Sequence, residues 1–184
     1  VGDVSLAVDV ATTNSSITFT GGVTLTENVL FNSGSGAGNV TFNSYVSGTT
    51  NNTESLTITA GTGSATFAST VGASLTRLSD ISITANGISL GGNIFGAGAL
   101  TMQPTTATTS IGINAAGTFS LSAAEMNRLQ NGFSSITIGR SNGQHAISVG
   151  AVTFRDPATI RTPTAGSISV DGQITGLEIG RAHV

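Results

Sequence analysis

The sequence predicts an all-β protein, a right-handed parallel β-helix (β-solenoid) of about seven to eight coils of about 23 to 25 residues each. Three observations predict this fold: a sequence repeat, a strict alternation of apolar and polar residues within it, and a composition poor in charge. Charged residues make up only 8% of the 184-residue chain, against about 25% in an ordinary soluble domain. Solubility must therefore come from hydroxyl and amide groups on the surface.

The repeat is clearest in the first half of the chain. Residues 40–46 (VTFNSYV) return as residues 65–71 (ATFASTV), and residues 56–60 (LTITA) return as residues 81–85 (ISITA), each 25 residues later. A period of roughly 20 to 50 residues is typical of solenoids, in which each repeat is one coil of a stack. The sequence therefore predicts stacked coils, each of which needs its neighbours for stability.

The repeat extends in both directions at a slightly shorter interval. Residues 17–23 precede residues 40–46 by 23 positions, and residues 88–94 follow residues 65–71 by 23. We expect residues 111–113 to continue this series, because Ile111 lies 23 positions after Ile88. At the beginning of the chain, the alternation of Val4, Leu6, Val8 and Val10 predicts a strand over residues 4–10.

The alternation sets the register of each strand. Leu56, Ile58 and Ala60 share one face of a strand, while Thr57 and Thr59 share the other. A slip by one residue would expose the isoleucine and bury the threonines, so only one register is stable. Strands that recur once per coil stack in parallel, and the crossover between parallel strands is nearly always right-handed.

One stretch departs from the strand pattern. Ser122 and Glu125 have the spacing of a capping box, and Met126, Leu129 and Phe133 follow at helical spacing. These signals predict one short helix near residues 123–131. The simplest interpretation is an excursion that covers apolar surface, and a docking or binding role is the alternative.

Two parts of different origin are predicted. Residues 1–177 are expected to be a β-solenoid segment of a longer protein. Residues 178–184 (EIGRAHV) resemble the translation of a widely used sequencing adapter, so we expect a non-native tail in which Arg181 and His183 have no function.

Composition excludes several classes of function. The chain has no lysine and six scattered arginines at a net charge of −3, so it lacks the basic stripe that binds nucleic acid. It has no cysteine, which rules out disulfides and thiolate metal sites. No apolar run approaches the roughly 20 residues that cross a bilayer as a helix.

Carboxylates are the first candidates for catalysis in a β-helix, since glycan cleavage needs acids that converge on one face. Outside the tail they are Asp3, Asp9, Glu27, Glu54, Asp80, Glu125, Asp156 and Asp171. Only Glu54 and Asp80, almost one coil apart, are expected to be near neighbours, as solvated corner charges or, alternatively, as a weak cation or acid site. His145 is expected to lie in a turn without a carboxylate partner. The sequence thus predicts no catalytic, cofactor-binding or metal-binding residue, and no enzyme activity.

Threonine pairs raise one further alternative. Thr18 and Thr20, Thr24 and Thr26, and Thr57 and Thr59 would place hydroxyls on outward faces, as in ice-binding solenoids. Solvation of an outward sheet face explains the same pattern more simply.

Residues 40–43 (VTFN), 56–60 (LTITA) and above all 121–139 (LSAAEMNRLQNGFSSITIG) resemble large bacterial repeat exoproteins of the filamentous haemagglutinin-like adhesin type. The resemblance implies an exported, non-catalytic shaft, extracellular or at the cell surface in association with the outer membrane. Its partners would be neighbouring coils of the same longer chain, and host or cell-surface glycans or proteins. A carbohydrate-active β-helix (polysaccharide lyase or hydrolase) is the first alternative, and an ice-binding solenoid the second.

Overall fold

A computed structural model describes residues 2–176, which form a parallel β-solenoid of about eight turns with one short helix. The predicted fold class is confirmed. The tail predicted at residues 178–184 lies outside the described residues.

The strands form five parallel sheets along the sides of the stack. The seven-stranded sheet contains β2 (Val10–Ala11), β5 (Val29–Asn32), β8 (Leu56–Thr59), β10 (Ile81–Thr84), β12 (Ala99–Gln103), β15 (Ser135–Ile138) and β18 (Ala158–Ile160). A second side carries β3 (Ile17–Phe19), β6 (Val40–Phe42), β9 (Ser64–Phe67) and β11 (Gly87–Leu90), and then β13 (Ile111–Ile113), β14 (Phe119–Leu121), β16 (Ala146–Val149) and β19 (Ser167–Val170). The remaining strands are β1 (Val4–Leu6), β4 (Val23–Leu25), β7 (Val46–Gly48), β17 (Val152–Phe154) and β20 (Ile174–Gly176).

The register follows the predicted repeat through the first half of the chain. Leu56 pairs with Ile81 and Ile58 with Ile83, while Val40 pairs with Ala65 at the same interval. The apolar residues of these strands are buried because they alternate inward, and the intervening threonines and serines face outward.

Coil length varies more than the repeat suggests. In the seven-stranded sheet, Ile83 pairs with Met102, 19 residues later, and Met102 pairs with Ile138, 36 residues later. The short coil has tight corners, whereas the long one holds β13, β14 and the helix. In both coils the inward residues stay in register, because the core determines which side chains face inward. The core does not restrict the number of residues in a corner.

Strand order changes within the long coil. The expectation that β13 continues the series from β11 is wrong, because β13 pairs with β14 and β16, and β14 is the strand next to β11. The chain turns back over β13 at Asn114, whose φ is +46°, and re-enters one layer earlier. Ile111 and Phe119 therefore pair at an interval of only eight residues.

The helix is shorter than predicted. It is a single turn, α1 (Ala123–Met126), with the capping box of Ser122 and Glu125 as predicted. Leu129 lies outside it and forms a parallel bridge with Ile94. Helical spacing failed beyond Met126 because Leu129 gains a backbone ladder with the preceding coil, which a second helical turn would forgo.

The first coil also differs from its prediction. Residues 4–10 form two strands, β1 and the start of β2, instead of one continuous strand. Val8 between them is 67% exposed, since the chain bends there to pass from one side of the solenoid to the next.

Stacked aromatic rings fill the core of the first coils. The rings of Phe19, Phe42 and Phe67 are nearly parallel, with centroids 5.7 and 5.3 Å apart. Phe31 meets Phe42 edge-on at 5.0 Å. Such pairs add about 0.5–1.5 kcal/mol each beyond their buried area, so this ladder stabilises the contact between successive coils.

Candidate functional site

Most of the predicted carboxylates are bound to the backbone of a neighbouring coil. Asp3, Asp9 and Asp80 accept hydrogen bonds from N–H groups about one coil later in the chain. The donors are Gly22 at 2.7 Å, Leu30 at 2.8 Å and Ala99 at 2.7 Å. These side chains replace strand hydrogen bonds at the corners, where the ladder is interrupted.

Amide side chains do the same at other corners. Asn28 accepts from the N–H of Ser55 at 2.8 Å, and Asn51 from that of Arg77 at 2.9 Å. The same contact joins Asn14 to Gly36, Asn39 to Ser64 and Asn86 to Thr106. We call these side chains the corner acceptors. They explain why Asp and Asn recur near the strand ends without forming a site.

Glu54 and Asp80 do not form the neighbouring pair of solvated charges that their spacing predicts. Glu54 is only 2% exposed, and its carboxylate accepts from the Thr49 hydroxyl at 2.5 Å and from the Thr50 N–H at 3.1 Å. Because residues 54 and 80 are offset by one position in the ladder, Glu54 turns inward while Asp80 bonds the outer corner. Neither a cation site nor an acid pair results.

The pKa of Glu54 reflects this environment. Burial acts to raise the pKa, but the hydrogen bonds from Thr49 and from the backbone of residues 49, 50 and 54 outweigh it, and the pKa is lowered. Glu54 is therefore an ionised, fully bonded group at neutral pH. A proton donor for glycan cleavage needs the opposite, a raised pKa.

Three of the four remaining acids also form hydrogen bonds within the protein, and the fourth, Glu27, is exposed. Glu125 caps α1 and accepts from the N–H of Leu90 at 3.0 Å, which ties the excursion to β11. Asp156 is 4% exposed and accepts from the N–H of Gly132 at 2.9 Å. Asp171 accepts from the hydroxyl of Ser169.

His145 lies in the loop before β16 and is fully buried. Its Nδ1 lies 2.8 Å from the carbonyl oxygen of Thr109, which assigns the proton to Nδ1. Nε2 has no hydrogen-bond partner in the described part of the chain. Burial and then the charge of Arg140 lower the pKa of His145, against the contact with Thr109. The ring is neutral and sealed from substrate, so it cannot act as a general base.

Residues 2–176 hold neither a cluster of metal-ligating side chains nor a membrane-spanning helix. No group of three or more His, Cys, Asp or Glu side chains there is close enough to hold a metal ion. None of the helices in this range has the length and hydropathy needed to cross a membrane.

Hydroxyls form one long column on the outside of the seven-stranded sheet. Cross-strand partners in this column are Thr57, Ser82, Thr101, Thr137 and Thr159. In the neighbouring column, Thr59 and Thr84 lie between Asn32 and Gln103. A second column of hydroxyls, formed by Thr18, Thr41, Thr66 and Ser89, lies on another side of the solenoid.

A cleft beside α1 is a feature that the sequence did not predict. It lies between α1 and the outward side of β17 and β20 and has a volume of about 240 Å³. The capping box was the only sequence signal for this cleft, because it marks the point where the chain leaves the stack. The sequence did not show that β17 and β20 lie beside α1, since that depends on how the coils stack.

No protein-family model, no curated protein and no solved structure matches this chain. The function must therefore be inferred from the fold and from the geometry of its side chains.

Proposed function

We propose that the chain is a structural shaft segment of a bacterial cell-surface or secreted adhesin-like exoprotein, and that it is not an enzyme. The observation that supports this most directly is the use of its acids. Asp3, Asp9, Glu54, Asp80 and Glu125 accept hydrogen bonds from backbone N–H groups, so these five carboxylates are engaged in holding the fold together.

The direction of the hydrogen bonds also supports a shaft. Strand ladders in a solenoid run along the stacking axis, and here they do so on several sides at once. The corner acceptors add bonds between the same coils. Axial load would therefore be shared among parallel rows of bonds, which suits a rod that holds other domains away from a cell. The resemblance to haemagglutinin-like exoproteins supports the extracellular location.

Incubation of the purified chain with a panel of plant, algal and bacterial polysaccharides tests the non-catalytic role. We expect no release of reducing ends and no unsaturated products. Reproducible turnover would overturn the shaft proposal in favour of a lyase or hydrolase. Glu54→Gln and Asp80→Asn would then decide whether either carboxylate takes part.

Export can be tested separately. The chain is fused behind a bacterial two-partner secretion leader and expressed with the matching outer-membrane pore, with a stably folded cytoplasmic protein on the same leader as control. We expect the solenoid to reach the cell exterior, where protease added to intact cells degrades it. Retention of the solenoid inside the cell, as for the control, would contradict the extracellular role.

A further inference from the structure

We propose that the cleft beside α1 is a binding site for a neutral saccharide, a role beyond that of a passive shaft. We call it the α1 cleft. Its lining consists of Ala123, Met126, Asn127, Ala151, Val152, Thr153, Gln173 and Thr175. The proposal does not depend on the adhesin-like origin of the chain, since it rests on this geometry alone.

The cleft exists because the longest coil leaves the stack at this point. Met102 and Ile138 are cross-strand partners 36 residues apart, and the additional length between them includes α1. On the next two coils, Thr153 and Thr175 are cross-strand partners. Their hydroxyls therefore follow each other at the strand spacing of about 4.8 Å, beside the wall that α1 provides.

The polar side chains of the cleft differ from those elsewhere in the solenoid. Asn28 and Asn51 are corner acceptors, but Asn127 and Gln173 form hydrogen bonds only through their backbone groups. Within residues 2–176, the side chains of Asn127, Thr153, Gln173 and Thr175 make no hydrogen bond. Four residues with donor and acceptor side chains thus line one cleft, and these side chains have no hydrogen-bond partner within residues 2–176.

The chemistry of the lining identifies the ligand class. None of the eight residues is charged, so an anion or cation would lose hydration without gaining a partner. Amides and hydroxyls both donate and accept, as sugar hydroxyls do. Met126 and Val152, 3% and 7% exposed, supply an apolar floor for the C–H face of a sugar ring.

The two methionines provide a direct assay. The chain contains Met102 and Met126 only; Met126 lies in the cleft, whereas Met102 is 0% exposed in the core. With ¹³C-methyl methionine, each gives one NMR signal, and Met126→Leu assigns them. Titration with maltotriose, cellotriose or mannotriose up to about 10 mM should shift the Met126 signal saturably and leave Met102 unchanged.

Matched variants locate the site. Loss of one hydroxyl in Thr153→Val should weaken saccharide binding about tenfold, and Asn127→Ala should do the same. Thr101→Val, the equivalent change on the outward side of the seven-stranded sheet, should leave binding unchanged.

Three results would overturn the proposal. They are the absence of any Met126 shift with all three sugars, a shift of the same affinity in both cleft variants, and an equal or stronger response to a charged oligogalacturonate. A change in the position of the Met102 signal would show that a variant is misfolded. The test then relies on the other cleft variant.

Discussion

Many polar side chains in this protein accept hydrogen bonds from backbone N–H groups. Asp9 and Asn28, which differ in charge, make the same contact with the N–H group of a later coil. The same type of acceptor recurs wherever the ladder is interrupted, because a buried or half-buried N–H group without a partner costs roughly 1–3 kcal/mol. An acid in this sequence therefore signals a corner more often than a catalytic site.

Glu54 is buried and its carboxylate accepts hydrogen bonds from Thr49 and Thr50. The substitution Glu54→Gln tests how much these hydrogen bonds stabilise the fold. The amide would place an NH₂ group or a single weaker acceptor against Thr49 and Thr50, so we expect the free energy of unfolding at pH 7 to fall by about 1–3 kcal/mol. Urea unfolding measures the change. Glu27→Gln, the same change at an exposed position, should have no measurable effect.

The lowered pKa of Glu54 sets the pH dependence of that difference. The ionised group stabilises the fold above its ordinary pKa of 4.5, and this contribution is lost as the pH falls through the lower folded-state pKa. The wild-type and Glu54→Gln proteins should therefore converge in stability in acid. A constant difference from pH 7 to pH 3 would show that charge is not the cause.

His145 should make the protein less stable in mild acid. Its folded-state pKa lies below the ordinary value of 6.5, so below that pH the unfolded chain takes up a proton that the folded chain does not. The free energy of unfolding should fall as the pH drops below the ordinary pKa of 6.5, by up to about 1.4 kcal/mol per pH unit. His145→Gln should abolish this slope, and an unchanged slope in that variant would show that His145 is not its cause.

The reversal of strand order at β13 and β14 depends on two glycines, Gly112 and Gly117, where the backbone of the turn passes close to β13. The turn-back segment passes directly over β13, and a Cβ on Gly112 would collide with the carbonyl oxygen of Ala115. Gly117 faces Gly112 from the other side of this contact. The two glycines let one stretch of backbone cross another at a distance that no other residue pair allows.

Gly112→Ala should consequently destabilise the long coil. Because the obstruction is backbone, relief requires the turn-back segment to move, and we expect a loss of about 1–3 kcal/mol in urea unfolding. Gly2→Ala, where an added Cβ meets nothing within 4 Å, is the control. Equal stability of both variants would contradict the observed strand order.

Considered as a whole, the solenoid has no single centre, since each coil contacts only those above and below it. Inward residues of middle coils, such as Ile58 and Ile83, are 0 and 2% exposed. Ile168 and Val170 in the last described coil also face inward but are 44 and 54% exposed. Stability should therefore be highest in the middle and fall toward both ends of the described range.

Hydrogen exchange measures that gradient. Amides of β8, β10 and β12 should exchange slowest, and those of β1, β18 and β20 at least about tenfold faster, because opening an end coil breaks only one interface. Uniform protection across all coils would instead indicate global, all-or-none opening. Phe42→Ala removes a ring from the middle of the stacked aromatic residues and should cost roughly 3–5 kcal/mol of stability. Amides of the first coils should therefore exchange faster in this variant than in the wild-type protein.

The sequence by itself determined which strand residues of this protein face the core. Apolar residues at alternate positions and at intervals of 23 and 25 predicted most of the strand register from Ile17 to Ile94, because only one register buries them all. The exception is the pairing of β5 with β8, where Val29 and Leu56 are 27 residues apart. The capping box of Ser122 and Glu125 was equally local, and it formed as predicted. Every one of these features depends on residues close in the chain or on a constant repeat.

Only the tertiary structure decided what the corners and the irregular coil do. The inward turn of Glu54, the burial of His145, the exchange of β13 and β14 and the α1 cleft all depend on which residues of different coils become neighbours. Because the core does not constrain the length of the corners, even inward partners are separated by intervals that vary from 19 to 36 positions. Inward side chains keep their cross-strand register at any of these intervals, whereas side chains at corners depend on neighbours that the repeat does not specify.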